Sequence, residues 1–78
     1  MNLKIKLFGV LSEIANTDEL MISSVESIEA QAIIDYAIER YPEMKLVQLK
    51  LAVNQKIVTE GSCDEHDEIA LLPPFAGG

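Results

Sequence analysis

An α+β fold with one main helix packed across a mixed sheet is predicted by three features of this sequence. A period-two apolar alternation opens the chain, one helical stripe occupies its middle, and short apolar runs divided by turn residues fill its second half. Seventy-eight residues make a single domain, and 49% hydrophobic with 24% charged side chains suits a packed core better than a disordered segment.

The first strand runs from Leu3 to Leu7, where Leu3, Ile5 and Leu7 alternate with Lys4 and Lys6. Gly9 ends it, and Leu11 and Ile14 predict a short helical turn. Asn16-Thr17-Asp18 then turns the chain into a second strand from Glu19 to Ser23, with Leu20 and Ile22 facing the core. These two strands are expected to pair as a wide antiparallel hairpin. Ser27 is the expected N-cap of the helix, with Glu29 complementing the positive end of its dipole. Ala30, Ile33, Ile34, Ala37, Ile38 and Tyr41 fall on one face of a 3.6-residue helix. Pro42 disfavours helical geometry at Tyr41 and stops it. Glu43 to Gln48 has no clear period. Leu49 to Val53 reads as a third strand, Asn54-Gln55 as a tight turn into Lys56 to Val58, and Glu68 to Leu72 as the last strand. Strand, strand, helix, strand, short strand, strand is the order of the ubiquitin-like beta-grasp. The body spans residues 1–72, and residues 73–78 form a flexible Gly-Gly tail.

Six basic against thirteen acidic side chains leave a net charge of -7, which argues against phosphate-backbone and anionic-membrane partners. A protein with a basic surface is the favoured kind of partner. The single cysteine, Cys63, cannot form an internal disulfide, which points to the cytoplasm. The first lysines lie inside a strand alternation, so the start reads as a strand and not a leader, and no apolar run is long enough to span a bilayer.

Few residues offer chemistry. Cys63-Asp64-Glu65-His66-Asp67-Glu68 mixes soft and hard ligands, but it lacks a second Cys or His, so it reads as an acidic turn and no metal is expected. The same carboxylates should raise the Cys63 pKa and leave it a poor nucleophile. Met21 and Met44 read as core or edge packing, and Lys4, Lys6, Lys45, Lys50 and Lys56 as solvated positions. No nucleophile elbow or phosphate loop is present, so no bound cofactor and no catalysis by the chain alone are expected. The end is different. Leu72-Pro73-Pro74-Phe75-Ala76-Gly77-Gly78 leaves an apolar strand through two prolines, which stiffen the exit, and finishes on a carboxylate with no side chain beside it. Its six residues beyond Leu72 reach about 20 Å when extended. Such a tail suits insertion into a narrow foreign active site, with Phe75 as an anchor.

Taken with Lys4-Ile5-Lys6-Leu7-Phe8 and Leu51-Ala52-Val53-Asn54-Gln55, the block from Asp67 to Gly78 resembles the small subunits of molybdopterin synthase, the MoaD-like branch of the ubiquitin-like sulfur carriers. The sequence departs from that pattern at His66, where glycine is frequent, and at Phe75, where a smaller aliphatic residue is common. The resemblance implies that a ubiquitin-activating-like adenylating enzyme uses ATP to activate the Gly78 carboxylate, and that a sulfur donor protein converts it to a thiocarboxylate. That group would then deliver sulfur to a pterin precursor held by a large synthase subunit, in an assembly of two large and two small subunits. Pro73, Pro74, Phe75, Ala76 and Gly77 would be the partner-binding residues. Two alternatives stay open: a carrier for thiamine or transfer-RNA thiolation, and a ubiquitin-like protein modifier.

Overall fold

The computed structural model describes residues 1–74. Strand β1 (Asn2–Leu7) has every second residue buried, with Leu3, Ile5 and Leu7 facing inward. Gly9 turns the chain into the short helix α1 (Val10–Ala15), whose Leu11 is fully buried. Asn16 closes that helix in the left-handed conformation at φ 57°, which asparagine tolerates. Strand β2 (Glu19–Ser23) returns antiparallel to β1, pairing Leu3 with Ile22 and Ile5 with Leu20. The expected wide hairpin is therefore present, and its four paired apolar side chains are all buried.

The helix start departs from expectation. Ser27 is exposed and is not the N-cap. A two-residue strand, β3 (Ile28–Glu29), comes first and pairs with a second short strand, β6 (Ser62–Cys63). Helix α2 (Ala30–Arg40) then begins with Glu29 as N-cap and no side-chain cap. Tertiary contact replaces the local cap: the Ala30 amide donates to the Gly61 carbonyl at 2.8 Å, and the Ser62 hydroxyl donates to the Glu29 carboxylate at 2.9 Å. The apolar stripe of α2 faces the core, with Ala30, Ile33 and Ala37 buried and Ile34, Ile38 and Tyr41 packed beside them.

The unassigned stretch after Pro42 is a short 3-10 helix (Pro42–Leu46), which carries Met44 into the core at 0% exposure. Strand β4 (Lys50–Val53), β5 (Lys56–Val58) and β7 (Ile69–Leu72) complete the main sheet. The β4–β5 turn holds Asn54 and Gln55 at φ 53° and 69°, the doubly left-handed pair that a two-residue hairpin requires. Strand order is β2-β1-β7-β4-β5, with β7 parallel to β1 and antiparallel to β4. The last strand thus occupies the middle of the sheet. Leu51 pairs with Leu71, and both lie with Ile69 and Ile5 in the cluster beneath α2. Burying each such side chain contributes about 1.5–3 kcal/mol, and together they hold the strand that carries the tail.

Candidate functional site: the tail root and the open face of the sheet

Because β7 is central, the chain leaves the body between two other strands, β1 and β4. The parallel register sets Leu7 beside Leu71, which brings Phe8 to Leu72 and the next residue, Gly9, to Pro73. The antiparallel register on the other side sets Lys50 opposite Leu72. Pro73 is half-buried and Pro74 is exposed. Phe75, Ala76, Gly77 and Gly78, the remaining residues picked out by sequence, lie outside the described residues.

The side of the sheet away from α2 is open. One row across it reads Glu19, Lys6, Ala70, Ala52 and Ile57, and the next reads Phe8, Leu72 and Lys50. The two alanines leave a shallow floor between larger neighbours. The result is a depression of about 290 Å³ lined by Phe8, Ala52, Ile57, Ala70 and Leu72, with Lys6, Gln55 and Glu68 at its rim. Phe8 and Ile57 are 47% and 54% exposed, so substantial apolar surface adjoins the root of the tail. On the other side of that root, Val10, Leu46, Val47, Gln48, Pro73 and Pro74 line a wider groove.

Lys4 and Lys6 form no basic patch on this face. They share a shallow surface with Glu19, Glu65, Asp67 and Glu68. Met44 is core, whereas Met21 stands half-exposed on the edge strand β2.

Cys63 is 2% exposed and belongs to the core cluster. Burial is the main cause that pushes its thiol pKa up, and the Asp67, Asp64 and Glu29 carboxylates push the same way. The sequence by itself shows only the acidic neighbours. His66 is exposed, and its amide donates to Asp64 Oδ1 at 2.8 Å. Asp67 accepts from the Asp64 amide at 2.8 Å and from the Asn54 side chain at 3.0 Å, while Asn54 Oδ1 accepts from the Glu68 amide. These bonds hold the Asp67 carboxyl below its ordinary pKa, the Asp64 amide contributing most. The acidic segment is a tied turn between β6 and β7. Among the described residues, no three His, Cys, Asp or Glu side chains are grouped to hold a metal ion, and no helix is long and apolar enough to cross a membrane.

Sequence reasoning misses the depression. Phe8 carries a signal, since it keeps the outward phase of Lys4 and Lys6 and breaks their polar pattern. Ile57 and the two alanines carry none, because only strand pairing brings them together.

Comparison with known proteins places this geometry in a family. The molybdopterin synthase sulfur carrier subunit of Arabidopsis thaliana is 26% identical over 81 aligned positions, covering 100% of this chain and 84% of the relative. Solved structures share the fold. A putative molybdopterin converting factor subunit 1 from Pyrococcus furiosus superposes with a TM-score of 0.82 at 21% identity, covering 96% of this chain and 99% of that one. SAMP1 of Haloferax volcanii, a small archaeal modifier protein, gives 0.78 at 21% identity with full coverage of both chains. A complex of subunits 1 and 2 of the Helicobacter pylori molybdopterin-converting factor gives 0.61 at 22% identity, again with full coverage of both chains. The beta-grasp expected from element order is thus the fold observed. The family model of ThiS matches residues 5–78, from the inward Ile5 of the first strand to the terminal Gly78, and the chain belongs to the ThiS family.

Proposed function

We propose that this protein is the sulfur-carrying small subunit of a molybdopterin synthase and that Gly78 is the residue that carries the sulfur. The observation that supports this most is the placement of β7 in the centre of the sheet, which delivers a Pro-Pro tail next to an exposed apolar depression. The family match extends through both terminal glycines. The depression would dock a partner protein while the tail enters that partner's active site. An ionised carboxylate repels nucleophiles and has no good leaving group. An adenylating enzyme would therefore join the Gly78 carboxylate to AMP, releasing pyrophosphate from ATP. A sulfur nucleophile then displaces AMP and leaves a thiocarboxylate. That anion attacks a pterin precursor in the large subunit, as the two-subunit Helicobacter relative suggests. Water then cleaves the resulting thioester, so that the sulfur stays on the pterin and the Gly78 carboxylate is restored. Two such deliveries build a dithiolene. The reaction belongs to the cytoplasm, and the chain itself binds no cofactor.

The decisive measurement is intact mass of the protein from cells making molybdenum cofactor, where replacement of one terminal oxygen by sulfur is expected. Deleting Gly78, or adding one residue after it, should abolish sulfur transfer with the melting temperature nearly unchanged. Transfer by either variant would overturn the proposal. Gly77→Val should also block transfer, because a branched side chain beside the reactive carbonyl obstructs threading. The likeness to SAMP1 favours a second reading, protein modification through Gly78. Conjugates that survive reducing denaturation and disappear on deletion of Gly78 would establish it.

A further inference from the structure

The tail root rests on a residue that has no side chain. Gly9 sits at φ 58° and ψ -133°, the mirror image of extended backbone, which glycine adopts freely and L side chains avoid. A Cβ placed on Gly9 would lie 3.2 Å from Pro73 Cγ and 3.8 Å from Pro73 Cδ. The proline ring therefore crowds the place a side chain would take and would have to give way by a few tenths of an ångström. The loop beneath it is tied, since the Gly9 carbonyl accepts from the Ser12 amide at 3.1 Å and from the Ser12 hydroxyl at 2.9 Å. Phe8 on one side of Gly9 belongs to the depression, and Val10 on the other belongs to the groove shared with Pro73 and Pro74.

We infer that Gly9 is a positioning residue for the C-terminal tail. By seating the Pro73 ring against a tied loop, it sets the heading with which the chain leaves Pro74, between the open-face depression and the Val10–Leu46–Val47 groove. This rests on the carrier reading for its functional consequence, because a partner that docks on the depression must find Gly78 at a set depth and angle. A misplacement of about 1 Å in a reacting group can cost about a hundredfold in rate. Docking uses a different surface, so the cost should fall on turnover and not on affinity.

The test compares wild type with Gly9→Ala, Pro73→Ala and the double variant. With the adenylating enzyme, ATP and the carrier as probes, Gly9→Ala should lower kcat about tenfold while KM stays within about twofold. Pro73→Ala should lower kcat as well, because the seated ring is lost. The double variant should fall no further than the lower of the two single variants, because both substitutions break one contact. Its melting temperature should stay low, because the strain at positive φ remains. Wild-type kcat for folded Gly9→Ala, or additive losses in the double variant, would overturn the inference. A second readout needs no chemistry: a nitroxide on Gly78→Cys in a Cys63→Ser background, with amide relaxation enhancement read along residues 46–58. Gly9→Ala should redistribute that enhancement, and an unchanged pattern overturns the inference even if the wild-type protein is never adenylated. If Gly9→Ala does not fold, Pro73→Gly decides by the same relaxation measurement, since it removes the ring without straining residue 9.

Discussion

The two faces of the main sheet are built from alternate residues of the same strands and do opposite work. The inward set, Leu3, Ile5, Leu7, Leu51, Ile69 and Leu71, is at most 3% exposed and lies beneath α2. The outward set mixes Lys4, Lys6 and Lys50 with Phe8, Ile57, Leu72 and two alanines, and it stays open. Apolar residues on the first face are held by the fold, whereas those on the second are available to a partner. One strand, β7, contributes Leu71 to the core and Ala70 and Leu72 to the open face, then continues into the tail. Stability and delivery are therefore separable by substitution at adjacent positions.

The contrast is sharpest at Leu71. Leu71→Ala should lower unfolding free energy by about 2–5 kcal/mol in denaturant titrations, because it opens a cavity at the most central strand pair. Phe8→Ala and Ile57→Ala should each weaken binding to the partner protein by about 1–2 kcal/mol, measured by titration calorimetry. Their stability cost should stay below about 1 kcal/mol, as befits half-exposed side chains. If these two variants bind normally, the open face is not the docking surface and the comparison fails.

Smaller effects test the turn that aligns β7. Asn54→Gly should cost about 1 kcal/mol through loss of the side-chain bonds to Asp67 and Glu68. Asn54→Ala should cost more, since alanine also strains at φ 53°. The smallest effects are pH effects. The Asp67 pKa is lowered by folding, so its contribution to stability is present above the unfolded value, about 3.9, and is lost as pH falls through the folded value. Asp67→Asn should flatten the acid limb of a stability–pH curve. The Cys63 pKa is raised, so its contribution is present below the unfolded value, about 8.5, and is lost as pH climbs through the folded one. Cys63→Ala should flatten the alkaline limb. A thiol reagent should label native Cys63 slowly and the denatured chain fast.

The elements legible in the chain are those whose signals are local. Side-chain alternation along Leu3–Leu7, the 3.6-residue stripe of α2, the left-handed tolerance of Asn54 and the stop at Pro42 all follow from backbone geometry over a few residues. The tail's signal is local too, a strand end followed by two prolines and two glycines, and the proposal for Gly78 rests on it. Where the signal depends on a distant partner, the local pattern misleads or is silent. Ser27 loses the helix cap to a carbonyl at Gly61, and Ile28–Glu29 is a strand because Ser62–Cys63 is there to pair with it. The depression joins Phe8, Ala52, Ile57 and Ala70 through strand pairings that no local pattern encodes. Gly9 shows the division within one residue. Its type announces a turn, but that its missing Cβ makes room for Pro73 emerges only when β1 and β7 run side by side. Periodicity and turn chemistry act over single-residue steps and are written in the chain, whereas shape complementarity exists only between segments that folding has brought together.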